Sequence, residues 1–216
     1  MKRFVLFLGA AVLALGCSTT PTAENAAIDH SGHSVNAAGS PDHSKMDHGT
    51  MDHSKMESSP GAASAPYDLQ FIDTMILHHQ GAVDMSRDVK ERGEDKGLIA
   101  LAAVIIAEQE REIAEMRKWR SEWFNGKPEA VNMDLAGMRE GMEGMDTAKL
   151  STLSRRAFDL EFVRQMIPHH KGAVEMAREA ERRAERPEIK KLAAAVIKAQ
   201  EAEIAKMEEW EKNWSK

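Results

Sequence analysis

Cysteine and tyrosine are almost absent from this chain, which has one of each in 216 residues. The single cysteine, Cys17, excludes an internal disulfide and a thiolate metal cluster. Acidic side chains outnumber basic ones by 35 to 29, which argues against a nucleic-acid partner, because nucleic-acid binding needs a basic face. The apolar stretch at residues 4–15 is too short to span a bilayer. Any soft-metal ligands must therefore be methionine or histidine, of which the chain has 14 and 9.

The N-terminus has the pattern of a bacterial lipoprotein signal over residues 1–17. Lys2 and Arg3 precede the apolar stretch, which ends at Ala-Leu-Gly-Cys. This pattern predicts cleavage before Cys17 and lipidation of its thiol, so that a lipid would attach the protein to the membrane. Ser18 stands where an inner-membrane retention signal would have Asp, so we expect an outer-membrane location facing the periplasm. The alternative is an ordinary secretory signal with an incidental cysteine.

Residues 18–65 are rich in Ala, Ser, Gly, Pro, Asp and His and have no periodicity, which predicts a disordered tether. The pattern Asp-His-x-x-Met occurs there three times in succession. Packing does not explain methionines in an unfolded segment, and His-rich tracts usually bind metal. We therefore expect the array to bind copper, with Asp able to assist Cu(II), although a repeat without consequence is the alternative. Its candidate ligands are His43, Met46, His48, Met51, His53 and Met56.

The rest of the chain contains one pattern twice, at an offset of 91 residues. Residues 67–123 and 158–214 are identical at 26 of 57 positions without an insertion or deletion. An inserted residue would rotate the rest of a helix by about 100°, so the ungapped match indicates a duplicated structural unit. Apolar residues at spacings of three and four predict two helices in each copy. Short turns within the copies and a longer connection between them predict an all-α fold over residues 66–216, an antiparallel four-helix bundle built from two hairpins.

Each copy carries a His-His pair inside the apolar stripe of its first helix. The second helix places Glu112 or Glu203 in a buried seam, where a carboxylate needs a partner, and we expect the His pair to be that partner. A His–Glu hydrogen bond in the core is one interpretation. Retention of the His pair, Met, Gln and Glu in both copies favours the other, a metal site. The candidate ligands are His78, His79, Met75, Met85, Glu112 and Met116 in the first copy, and His169, His170, Met166, Met176, Glu203 and Met207 in the second.

The residue types of these sites favour copper. Di-iron bundles carry Glu-x-x-His on paired helices, and Ile76 and Met75 stand at the corresponding positions before His79. Thioether and imidazole form a soft ligand set that suits Cu(I). The alternative for these methionines is core filling, which is their usual role.

Glycines and methionines mark two further features of the sequence. Gly81 and Gly172 follow the His pairs in mid-helix, where Gly costs ~1 kcal/mol relative to Ala, and they predict a close backbone approach. The connection between the copies holds four methionines that either form another Met cluster or pack against the bundle. They are Met133, Met138, Met142 and Met145.

These motifs resemble those of the DUF305 family. The family pattern Met-Ile-x-His-His-x-x-Ala-x-x-Met matches residues 75–85 and 166–176, and Gln-x-x-Glu-Ile-x-x-Met-x-x-Trp matches residues 109–119 and 200–210. The resemblance extends over about residues 66–215 and implies a ferritin-like fold. Because some members are periplasmic copper metallochaperones associated with copper tolerance, it also implies copper binding.

Together these features predict an envelope protein that sequesters copper, mainly Cu(I), or hands it to copper-efflux or copper-resistance proteins, without catalytic turnover. The main alternative is a ferritin-like metal oxidase that converts Cu(I) to Cu(II), which requires an open coordination position. A third interpretation is a structural module with a metal-sensing tail.

Overall fold

The computed structural model describes residues 56–216, and every regular element in that range is helical. This confirms the predicted all-α class. None of these helices is long and apolar enough to cross a membrane. The long helices are α1 (Tyr67–Arg92), α2 (Lys96–Trp123), α5 (Arg155–Arg183) and α6 (Pro187–Trp214), and two short helices in the connection are α3 (Met138–Glu143) and α4 (Thr147–Thr152).

The four long helices form two antiparallel hairpins that meet through their first helices. α1 packs on α2, α5 packs on α6, and α1 packs on α5. The Arg92 guanidinium at the end of α1 lies 4.5 Å from the ring centre of Phe158 near the start of α5. At the other end of this helix pair, the guanidinium of Arg183, at the end of α5, lies 4.3 Å from the ring centre of Tyr67 at the start of α1. The two His-bearing helices are therefore antiparallel neighbours at the centre of the bundle.

An aspartate near the start of each His-bearing helix ties the two hairpins together. Asp159 accepts hydrogen bonds from the backbone N–H groups of residues 94–95, in the turn between α1 and α2, at 3.1 and 2.8 Å. Asp68 accepts equivalent bonds from residues 185–186, in the turn between α5 and α6, at 3.0 and 3.1 Å. Each hairpin thus supplies a carboxylate that accepts hydrogen bonds from the backbone N–H groups in the turn of the other hairpin. These reciprocal bonds fix the relative position of the two hairpins.

Asp159→Ala should lower the free energy of unfolding by about 1–3 kcal/mol, because two backbone donors lose their buried acceptor. Asp68→Ala should have a similar effect, and urea denaturation measures both. Asp134→Ala is the control, because the Asp134 side chain is 70% exposed and should change stability by less than about 0.5 kcal/mol. If Asp159→Ala were as stable as Asp134→Ala, the reciprocal bonds would not contribute to stability.

The folded region begins earlier than the sequence predicts. Residues 56–65, assigned above to the disordered tether, pack against the bundle and the connection. The Ser59 N–H donates to the carbonyl of Val131 at 2.8 Å, and the Ser58 hydroxyl accepts from the N–H of Met133 at 2.9 Å. Ala62 is buried in the core. The boundary at residue 65 was wrong because small residues held by backbone hydrogen bonds leave no hydrophobic period in the sequence.

Met56 also belongs to the folded region. It was predicted to be a copper ligand in an unfolded segment, but it packs against the hydrophobic core of the bundle and is partly buried. The other array ligands, together with Cys17 and the remainder of the tether, lie outside the described residues. Their roles stay predictions.

Residues 137–145, which we call the cap, lie across α5 and contact α1. Gly172 of α5 touches the cap so closely that an added Cβ would collide with the carbonyl oxygen of Gly137 and lie 2.9 Å from the Cα of Gly141. An added Cβ on Gly81 of α1 would lie 3.0 Å from the Cε of Met145. The predicted close backbone approach is confirmed at Gly172, whereas Gly81 lies against the side chains of Met145 and His169. All four methionines of the connection are buried and belong to the core.

Candidate metal centre

The two histidines of each pair point in different directions, because adjacent helical residues are about 100° apart. His79 Nε2 lies 2.8 Å from Oε2 of Glu112 on α2, and His170 Nε2 lies 2.8 Å from Oε2 of Glu203 on α6. The expectation that these glutamates pair with the His residues is confirmed for the second histidine of each pair. Both contacts join the two helices of one hairpin.

The first histidine of each pair faces the other hairpin. The imidazole rings of His78 and His169 have their centres 3.8 Å apart and their planes inclined by 35°. Both side chains are essentially inaccessible to solvent. The centre of the bundle therefore contains a pair of imidazoles to which each hairpin contributes one ring.

Several ring nitrogens of this cluster are buried without a hydrogen-bond partner among the described residues. They are both nitrogens of His78 and the Nδ1 atoms of His79 and His170. Burial lowers the pKa of His78 well below its usual 6.5, and His79 and His170 lower it further. His78 is therefore neutral at physiological pH, the form that binds metals. Each unsatisfied buried nitrogen costs about 1–3 kcal/mol, which metal coordination would offset.

Methionines surround the four histidines along the helices. Met75 and Met166 lie three residues before His78 and His169, one turn away on the same face. No group of three or more His, Cys, Asp or Glu in residues 56–216 is arranged to hold a metal ion. A metal bound at the central rings would therefore need thioether ligands. All six predicted bundle methionines are buried, which fits both core packing and coordination: Met75, Met85, Met116, Met166, Met176 and Met207.

The cap covers the central rings. A Cβ on Gly141 would lie 2.8 Å from the Nε2 of His78, so the cap backbone runs directly over that ring. The Cβ position of Gly81 is 3.5 Å from the Sδ of Met145 and 3.7 Å from the Nε2 of His169. Met145 is thus a further candidate ligand for the centre. The position of the cap was not predicted from the sequence; it depends on Gly137 and Gly141, where an added Cβ would meet Gly172 or His78.

Two glutamines of the retained pattern, which were not among the predicted ligands, also lie in the core. Gln109 on α2 and Gln200 on α6 are buried, with both amide atoms of Gln109 and the Oε1 of Gln200 lacking a hydrogen-bond partner in the described part of the chain. Each lies three residues before the glutamate that bonds a histidine. The signal was present in the sequence, since both copies retain this Gln in a buried seam.

The fold and its centre define a helical bundle with a core rich in histidine and methionine. The family model described as "Domain of unknown function (DUF305)" matches residues 18–120 and 68–211. The chain therefore belongs to the DUF305 family. No functionally curated protein matches it in sequence.

Solved structures of similar proteins include CopM with two copper oxidation states. CopM in the Cu(II)-bound form is 43% identical with a TM-score of 0.60, over 68% of this chain and 97% of CopM. CopM in the Cu(I)-bound form is 41% identical with a TM-score of 0.58, over 68% and 96%. A DUF305 protein from Streptomyces coelicolor is 30% identical with a TM-score of 0.62, over 69% and 93%.

Proposed function

We propose that this protein binds copper, mainly as Cu(I), and sequesters it or hands it on without catalytic turnover. The observation that carries the proposal is the contact between His78 and His169 at the centre of a methionine-rich core. The nitrogens of His78 have no hydrogen-bond partner among residues 56–216, so its neutral ring has a nitrogen lone pair for which a soft metal is a suitable acceptor. The copper-bound structures of CopM support this assignment.

The burial of the central rings favours binding over oxidation. A metal oxidase that converts Cu(I) to Cu(II) needs a coordination position open to oxygen. Here both rings lie beneath the cap, with the backbone of Gly141 against the Nε2 of His78. A metal held in this core would be shielded from solvent, which suits storage or transfer.

In this proposal, the N-terminal region attaches the protein to the membrane and captures copper for the bundle. A lipid on Cys17 would hold the protein in the envelope, facing the periplasm. The Asp-His-x-x-Met array would collect copper, as Cu(I) or Cu(II), and deliver it to the bundle. Copper-efflux or copper-resistance proteins are the expected recipients.

The division of copper between array and bundle tests the proposal. Changing His43, His48 and His53 to Ala should lower the copper content of the purified protein and leave its helical circular dichroism unchanged. Changing His78 and His169 to Gln should lower the copper content separately, and the five changes together should lower it most. Metal analysis of dialysed protein measures all three. An array variant with the copper content of the wild type would remove the array from the proposal, and a core variant with that content would remove the bundle.

Metal choice gives a second test. Thioether is a poor ligand for harder divalent ions, so Cu(I) or Ag(I) should displace Zn(II), Fe(II) and Mn(II) from the protein. Competition dialysis against equimolar metals under anaerobic, reducing conditions measures the preference. Iron or manganese that stayed bound in the presence of equimolar Cu(I) would contradict the assignment of soft ligands.

A further inference from the structure

A groove of about 480 Å³ runs along the surface between α2 and α6. Its walls are mostly small or apolar, and Val104, with 46% of its surface exposed, stands at its edge. Glu203 also lines the groove, although it is only 6% exposed. Since the Oε2 of Glu203 bonds the Nε2 of His170 at 2.8 Å, this carboxylate connects the groove directly to the histidine core.

The two hairpins differ at this carboxylate. In the first hairpin, the Oε1 of Glu112 accepts a hydrogen bond from Arg111 at 3.2 Å. In the second, the equivalent Oε1 of Glu203 is buried without a hydrogen-bond partner in the described part of the chain. The sequence explains the difference, because the position equivalent to Arg111 is Ala202. Ala202 lines the groove and has no group that could donate a hydrogen bond to the carboxylate.

The charges around the groove favour a cation near Glu203. Glu108 lines the opposite wall, and its pKa is raised first by burial and then by the carboxylates of Glu203 and Glu112. Lys206 also lines the groove, but no ion pair joins it to Glu203 within residues 56–216. An unpaired buried carboxylate oxygen beside a second carboxylate is a position that a cation would stabilise.

We propose that the groove between α2 and α6 is the cation entrance to the core, and that the free oxygen of Glu203 is the first position at which an incoming divalent copper ion binds. This inference rests on the proposed function and adds the route. Carboxylate oxygen suits Cu(II), and His170 on the other side of the same carboxylate provides the next ligand. In the first hairpin, Arg111 donates a hydrogen bond to Glu112 and places a positive charge there, so the equivalent carboxylate is not available to a cation.

The rate of Cu(II) uptake tests the entrance without changing a core histidine or its glutamate. Trp210 lines the groove, so quenching of tryptophan fluorescence in a stopped-flow instrument reports the arriving ion. Full-length protein with His43, His48 and His53 changed to Ala is the background, so that the array does not capture the metal first. Ala202→Arg copies the first hairpin and should slow uptake on the order of tenfold. Glu108→Gln should slow it several-fold.

Arg111→Ala is the matched control, because it removes the hydrogen-bond partner and the positive charge from Glu112 and should load at least as fast as the background protein. Circular dichroism checks that Ala202→Arg is folded, and Glu108→Gln keeps the test valid if it is not. Uptake by Ala202→Arg and Glu108→Gln within twofold of the background, at normal final copper content, would overturn the entrance alone. A background protein that took up no Cu(II) but loaded with Cu(I) would overturn the entrance alone, and one that took up neither ion would overturn the proposed role of the bundle as well.

Discussion

Copper should raise the melting temperature of a chain shortened to residues 56–216, because a ligand that binds only the folded state stabilises it. Free copper at 100-fold above Kd adds ~2.7 kcal/mol, which corresponds to roughly 5–11 °C for a domain of this size. Changing His78, His79, His169 and His170 to Gln should abolish this rise. The variant should still fold, since Gln at 79 and 170 can keep a hydrogen bond to each glutamate. Thermal unfolding followed by circular dichroism, with and without copper, measures both effects.

A double variant distinguishes the contribution of the central rings, His78 and His169, from that of the His–Glu pairs. Changing His78 and His169 alone leaves the bonds of His79 and His170 in place, so this double variant should fold and lose most of the copper-induced rise. A purely structural role for the histidines predicts the reverse. In that case copper would not raise the melting temperature of the unaltered shortened chain, and the His changes alone would destabilise it strongly.

Gly172→Ala should destabilise the protein by about 1–3 kcal/mol or more, as overpacking of a tight core does. The added methyl group would meet the backbone of Gly137 and Gly141, which cannot rotate away as a side chain can. A loss of stability would be informative, because Ala in a helix interior is otherwise favoured over Gly by ~1 kcal/mol. Chemical denaturation measures the change, and the copper content of the same protein shows whether a displaced cap affects binding.

Gly81→Ala is the matched control at the equivalent position of the first hairpin. Its added Cβ would meet the Cε of Met145 at 3.0 Å, and this flexible end of a side chain can move. The variant should therefore be much closer to the unaltered protein in stability. Equal stability of the two glycine variants would show that the cap does not press on α5 as closely as the structure indicates.

The helices and their pairing could be predicted from the sequence because they depend on local patterns. Apolar spacing predicts two helices in each copy, and the four long helices lie within or close to residues 67–123 and 158–214. Pro187 begins α6, where proline is tolerated because the first helical turn needs no N–H donor. The glutamate partners of the His pairs were also predictable, since a hairpin with a short turn brings facing seams together. The segment from Met56 to Ala65 was not, because backbone hydrogen bonds to the connection hold it.

The sequence by itself determined the duplicated hairpins and the pairing of one histidine of each His-His motif with a glutamate, because helical periodicity and turn length act over short distances. Only the tertiary structure decided that His78 meets His169 and that the cap covers them, contacts that join residues far apart in the chain. It also decided that the Oε1 of Glu203, at a groove, has no hydrogen-bond partner in the described part of the chain, while the Oε1 of Glu112 bonds Arg111. These features depend on how the hairpins pack and on single differences between the copies, such as Arg111 against Ala202, whose effect appears only when neighbouring helices are in place.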